Sequence, residues 1–162
     1  MNSKPDKARA GAGKKATSAR RPVTDGHEML VSYESIVKMQ RVLYTKKIEV
    51  VKAGISKEQL TRLKEIFELD YDTLSSLLIV TNRSLHLKKG KDILSRNVSD
   101  RIIAIADVFS LGYNVFNSRE LFHRWLRQPS RDLGGVQPLS LLDTITGMEE
   151  VKQQLLRMEN HS

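Results

Sequence analysis

An all-α fold is predicted for this chain by three observations. Beyond Glu28, apolar residues recur at helical spacing, and no stretch sustains the alternation of a strand. Ser, Thr or Asn followed three positions later by Gln or Glu stands ahead of several of these runs. Gly and Pro fall mostly between the runs, where helices would stop.

The first run, "YESIVKMQRVLYTKKIEVVKAG", sets Ile36, Val37, Met39, Val42, Leu43, Ile48, Val50 and Val51 mostly on one broad face, and Gly54 stops it. One continuous helix is expected there. Ser56-Lys57-Glu58-Gln59 reads as a capping box, with Leu60, Leu63, Ile66 and Phe67 following at helical intervals. "LDYDTLSSLLIVTNRSLHLKKG" predicts two short helices, at about 72–79 and 82–89, with a tight break near Val80-Thr81 and a stop at Gly90. An apolar helix from Ser99 or Asp100 through Leu111 turns Ile102, Ile105, Ala106 and Phe109 inward.

Asn117-Ser118-Arg119-Glu120 is read as a second box, opening the helix "LFHRWLR" that Pro129 ends. In "WLRQPSRDLGGVQPLSLLDTITG", Gly134-Gly135 permit a tight turn and Pro138 suits the first position of a new short helix. Leu133, Leu139 and Leu142 would pin that turn to the core. Thr146-Gly147-Met148-Glu149 is read as a third box, before a last helix lined by Val151, Leu155 and Met158. The breakers thus describe a compact helix–turn–helix–turn–helix shape, not a linker.

Composition limits the rest. With 162 residues, 40% of them hydrophobic, the chain can bury a core as one domain or two small ones beside a tail. It has no cysteine, so neither disulfides nor thiolate chemistry enter. No apolar run reaches the ~18 residues of a membrane span, and no apolar segment follows the first basic residues as in a signal peptide. A soluble cytoplasmic protein is the expectation.

The net charge of +8 is unevenly spread. Residues 1–22 hold seven Lys/Arg against one Asp, 38–64 hold eight against two acidic residues, and 82–101 hold six against two. Residues 102–162 hold six basic against seven acidic side chains. The first two-thirds suits a polyanion; the last third does not. Residues 1–26, with almost no large apolar side chains, are expected to be a disordered basic tail, either solubilising or touching phosphates.

Signs of catalysis are poor. "GAGKK" at 11–15 is not a P-loop, since Ala8 stands where the first Gly belongs, Lys15 replaces Ser/Thr, and no strand precedes it. "DLGG" at 132–135 lacks the strand and helix of a dinucleotide fingerprint. His27, His86, His123 and His161 are scattered, and His123, beside Trp125, is read as an interface or surface imidazole. No enzyme activity, cofactor or metal is expected.

The helix pair at 72–90 suits a helix-turn-helix. Leu74, Leu77 and Leu78 would face the core from the first helix, and Leu85, with Leu87, would anchor the second. Asn82, Arg83, Ser84, His86, Lys88 and Lys89, with Lys91 just beyond, would then face DNA.

Residues 121–158 are the most specific stretch. Trp125-Leu126, Pro129, Leu133-Gly134-Gly135, Pro138-Leu139, Leu141-Leu142, Thr144, Gly147 and Val151 closely resemble the pattern of the C-terminal toxin-binding domain of Xre/ParS-type antitoxins. More weakly, Gly54 to Gly112 resembles the Xre-like helix-turn-helix of that family. It departs at Ile79-Val80, where a Gly is common in the turn.

The resemblance implies a type II antitoxin with a helical DNA-binding domain at 27–112 and a toxin-binding domain at 113–162. Its partners would be a RES-type toxin that destroys NAD, its own operator DNA, and a second copy of itself within a larger hetero-oligomer. Arg124, Arg127, Arg131, Met148, Arg157, Met158, Glu159, Asn160, His161 and Ser162 would face the toxin, with Trp125, Phe122 and Leu156 as further exposed anchors. Against the exposed role, Trp125, Leu126 and Val151 read first as core. The competing expectation is a stand-alone dimeric helix-turn-helix regulator without a toxin.

Overall fold

The computed structural model describes residues 26–162 and bears out the all-α prediction. Only two isolated bridge pairs, Ser56–Ile93 and Ser130–Val136, occur among the described residues. The expected basic tail lies outside them, apart from Gly26.

Helix α1 (Gly26–Met29) leads into α2 (Tyr33–Lys38), whose N-cap Ser32 forms a capping box with Ser35. The single helix expected up to Gly54 is in fact broken. A 3-10 turn (Met39–Arg41) and extended backbone at Val42 and Leu43 separate α2 from α3 (Tyr44–Ala53). The reason is tertiary. The Val37 carbonyl, which a continuous helix would use internally, accepts instead from Asn114 Nδ2 at 2.9 Å and Ser110 Oγ at 3.3 Å. The chain therefore folds back, and Ile36 and Met39 are fully buried while Leu43 is left exposed.

Helix α4 (Lys57–Phe67) begins at the predicted Ser56–Gln59 capping box and ends at Glu68, a left-handed residue with φ 54°. Helix α5 (Tyr71–Leu78) is capped by Asp70, and α6 (Asn82–Leu87) by Thr81. Ile79 turns the chain between them with φ 55°. A β-branched residue thus holds the left-handed position that glycine would adopt without strain. Its side chain is 63% exposed, so little burial offsets that strain. Ile79→Gly should raise stability by roughly 0.5–1 kcal/mol. A lowered thermal midpoint would show that Ile79 is held by something other than the turn.

Helix α7 (Arg96–Phe116) is longer than expected at both ends and is capped by Ser95, not by Ser99 or Asp100. Ser99 lies inside, where its hydroxyl accepts the Ile55 N–H at 2.9 Å. Asn117 closes α7 in a left-handed conformation, and Ser118, not Asn117, caps α8 (Arg119–Leu126). Two 3-10 turns (Arg131–Leu133 and Pro138–Leu141) follow, then α9 (Ile145–Asn160), capped by Thr144 in place of Thr146. Gly134 and Gly135 take φ of 78° and 80°, and Pro138 opens its turn, as the sequence pattern required.

Helix α7 is the spine: α2, α3, α5, α8 and α9 all pack on it, α9 most extensively. Phe109 marks the centre, stacked on Phe67 at 3.9 Å and edge-on to Phe122 at 5.5 Å. None of the described helices is long and apolar enough to cross a membrane.

Candidate functional site

Two surfaces gather the residues singled out by the sequence. The first is the α5–turn–α6 unit. Leu74, Leu77, Leu78 and Leu85 are buried and fix it to the core, whereas Leu87 is 68% exposed and anchors nothing. Lys57, a buried cation that reads in sequence as an ordinary residue of a helix's first turn, donates its Nζ to the Leu85 carbonyl near the end of α6. An ammonium there satisfies an orphan carbonyl and complements the helix dipole. The Lys57 and Lys64 ammonium groups also lie over the Tyr71 ring, at 5.2 and 4.7 Å from its centroid.

The expected base-facing residues divide into two groups. Asn82 donates to the Asp72 carboxylate of α5, Ser84 Oγ donates to the Thr81 carbonyl at 2.9 Å, and His86 packs on Tyr71 with ring centroids 4.7 Å apart. These three build the unit. Arg83, Lys88, Lys89 and Lys91 project from it, exposed and without an ion pair among the described residues. The loop carrying the lysines is not loose: the α4 amides of Lys57 and Glu58 donate to the Asp92 and Gly90 carbonyls at 2.9 and 2.8 Å. The Leu94 N–H in turn donates to the Ile55 carbonyl at 2.8 Å. A rigid cationic ridge results, able to meet phosphates.

The second surface is built by α8, the two 3-10 turns and α9. Met148 and Phe122 are buried in the core, so neither is an exposed anchor. Leu126 and Val151 are fully buried and Trp125 is partly so, as their core reading required. Arg157, Met158 and His161 come together with Asp132 and Gln154 around an open cleft of about 590 Å³. Its wall is ordered by hydrogen bonds. Gln154 Nε2 donates to Asp132 Oδ2 at 3.0 Å, and Arg157 donates to Gln154 Oε1 at 3.0 and 2.8 Å. Glu150 also accepts from Arg157 at 3.3 Å. Arg124, Arg131, Glu159, Asn160 and Ser162 are exposed nearby in sequence but do not line the cleft. Asp132 and Gln154 were missed because each reads alone as an ordinary surface residue.

Arg127 is engaged elsewhere, in a polar clasp between the α8 segment and α4. Arg119 and His123 of α8 and Arg127 at its C-cap stand at i, i+4 and i+8 and meet the C-terminus of α4. Arg119 donates to the Glu65 carbonyl at 3.1 Å and Arg127 to the Glu68 carbonyl at 2.6 Å. His123 is only 3% exposed, contrary to the surface imidazole expected. Its Nδ1 lies 2.6 Å from Glu68 Oε2 and its Nε2 lies 2.8 Å from the Tyr113 hydroxyl. A carboxylate only accepts, so Nδ1 donates, and a neutral ring then accepts the Tyr113 proton at Nε2.

Burial pushes the His123 pKa below the free-histidine value of 6.5, and outweighs the neighbouring Glu68 carboxylate, which acts to raise it. The hydrogen bond from His123 holds the Glu68 carboxyl below its ordinary range. Burial pushes the Tyr113 phenol up, so it stays a donor. Below pH 6.5 the unfolded chain binds a proton at this histidine that the folded chain resists. Stability should therefore be full above pH 6.5 and fall as pH drops toward the folded value. Thermal melts between pH 7.5 and 5 should show this slope, reduced in His123→Gln; an equal slope in that variant would assign the effect to other groups.

Residues 111–160 match the family model of the antitoxin Xre/MbcA/ParS C-terminal toxin-binding domain. The match spans the end of α7, α8, both turns and α9. The chain is also similar to a Prs ADP-ribosylating antitoxin of Sphingobium sp. (strain YBL2), with 27% identity over 124 residues. That alignment covers 70% of this chain and 78% of the relative.

Proposed function

Through residues 111–160 the chain belongs to the Xre/MbcA/ParS antitoxins, and from that premise we propose that it neutralises an NAD-consuming toxin and represses its own operon. That it is a toxin-binding antitoxin follows from the matched domain. The relative carries ADP-ribosylation in its name, and the sequence pattern resembles partners of RES toxins, which destroy NAD. Both chemistries break the bond between nicotinamide and ribose; they differ in whether a protein group or water accepts the ADP-ribose. The proposed partner is an enzyme of this class.

The cleft at Asp132, Gln154, Arg157, Met158 and His161 is the proposed seat of contact. Arg157 is held by Gln154 and Glu150, which lowers the entropy cost of presenting its guanidinium to an acidic pocket. Arg124, Arg131 and the terminal residues Glu159, Asn160 and Ser162 would widen the contact. Occlusion of the toxin's site, rather than chemistry, is the proposed mode of inhibition.

Co-expression with the adjacent open reading frame tests this reading. Growth and cellular NAD should both be preserved when this chain is present. NAD falling equally with and without it would refute the proposal.

Operator binding would use the ridge of Arg83, Lys88, Lys89 and Lys91, in a homodimer that is itself part of a larger assembly. Asn82, Ser84 and His86 would shape the ridge more than read bases. Arg83→Ala should weaken specific operator binding by about 1–3 kcal/mol, the usual scale of a lost base contact. Titrations against operator and scrambled duplexes measure it, and an equal loss on both would make Arg83 a phosphate contact only.

A further inference from the structure

Helix α3 carries an apolar stripe that its own molecule does not use. Val50 faces the core at 5% exposure, but Tyr44 is 73% exposed and Ile48 45%, and Leu43 just before them is 74% exposed. Tyr44, Ile48 and Val51 lie at i, i+4 and i+7, so they form one line on the helix. Together with Ile103 and Ala104 of α7 they border a cleft of about 430 Å³ between the two helices. Scattered exposed apolar residues need no explanation, but a continuous stripe beside an apolar cleft does.

The charges on its two sides decide what covers it. The α3 side carries Lys47 and Lys52, and the α7 side carries Asp100 and Asp107, with Arg96 and Asn97 at its end. Lys47 and Asp107 pair within the molecule at 2.7 Å. Lys52 and Asp100 are exposed and unpaired among the described residues. One side of the patch thus offers a free cation and the other a free anion, across an apolar floor.

A uniformly charged partner, such as nucleic acid or an anionic membrane, would match only one of the two sides. A surface with opposite signs on its two sides matches itself under a two-fold rotation, because residue i then meets j while j meets i. We infer that the α3–α7 cleft is the homodimer interface, with α3 of each copy seated on the other's cleft and Lys52 of one copy facing Asp100 of its partner. This names the surface for the dimer of the proposed reading and does not depend on the toxin.

The location suits the operator reading too. Arg96 lies two residues beyond Leu94, where the lysine-bearing loop after α6 ends. Arg96 at the end of the cleft thus follows closely in sequence on the cationic ridge.

The full chain, alone and co-purified with its toxin, tests the inference by sedimentation equilibrium. Wild type should be a dimer. Lys52→Glu and Asp100→Lys should each weaken dimerisation roughly a hundredfold, because each altered contact occurs twice in an isologous interface. The double variant Lys52→Glu/Asp100→Lys should recover most of the loss. Ile48→Asp should give a monomer with an unchanged helical spectrum. Monomeric wild type in both preparations, single variants that dimerise normally, or a double variant no better than the singles would each overturn the inference. Ile48→Asp that stays dimeric but no longer captures the toxin would also overturn it, assigning the cleft to the toxin. Growth rescue by the same variants reports separately on the antitoxin reading, so the two can fail independently.

Discussion

Gly147→Ala should destabilise the protein by about 3 kcal/mol or more, since overpacking against backbone has no cheap relief. Gly147 sits in the first turn of α9, where Thr144 Oγ1 accepts its N–H at 2.9 Å. An added methyl would overlap the carbonyl oxygen of Leu141 and lie 2.8 Å from the carbonyl carbon. It would also lie 2.9 Å from Thr144 Oγ1, within the cap itself. No rotamer change helps, because the obstacle is the 3-10 turn. Helix α9 would have to lift from that turn, unseating Met148, Val151 and Leu155 from the core.

Gly135→Ala is the control. Nothing lies within 4 Å of the position its methyl would take, so only the left-handed backbone, at φ 80°, resists. That cost should be nearer 1 kcal/mol. Thermal melts of both variants, with toxin capture by pull-down, separate steric from backbone effects. Equal losses in the two would mean that α9 does not rest on the turn as described.

Phe122→Ala should cost about 3–5 kcal/mol, the range for deleting a buried aromatic side chain. Phe122 is fully buried. Its ring meets Phe109 and Tyr113 edge-on at 5.5 Å, Phe116 at 5.7 Å and Trp125 at 6.0 Å. It fills the space above Gly112, where a methyl would run into three of its ring carbons. Gly112 is therefore a seat for the ring rather than a break in α7. Gly112→Ala alone should destabilise, but in a Phe122→Ala background it should recover part of the loss by filling the vacated space. A double-mutant cycle measures this coupling. Strict additivity would sink the account of Gly112.

Much of the site was legible because its signals are local. The Ser56–Gln59 box, the left-handed glycines 134 and 135, and Pro138 at the head of its turn depend on neighbours a few residues away. The two boxes read at Asn117 and Thr146 were displaced to Ser118 and Thr144, since several capping residues stand together and only packing chooses among them. Leu85 and Leu87 illustrate the same limit: at i and i+2 they stand on opposite sides of a helix of six residues, and only the packing selects Leu85 as the inward one.

The sequence by itself determined the all-helical class, the shape of the breaker-rich turn and the likeness of 121–158 to a toxin-binding domain, because helical period, caps and turn residues act over short range. The tertiary structure decided what no spacing announces. It buried His123 between Glu68 and Tyr113, turned Arg127 from a surface cation into a partner of α4, and broke the first long helix by giving Val37's carbonyl to Asn114. In each case the partner lies 10 to 77 positions away, and hydrogen bonds over such separations exist only once the chain has closed on α7.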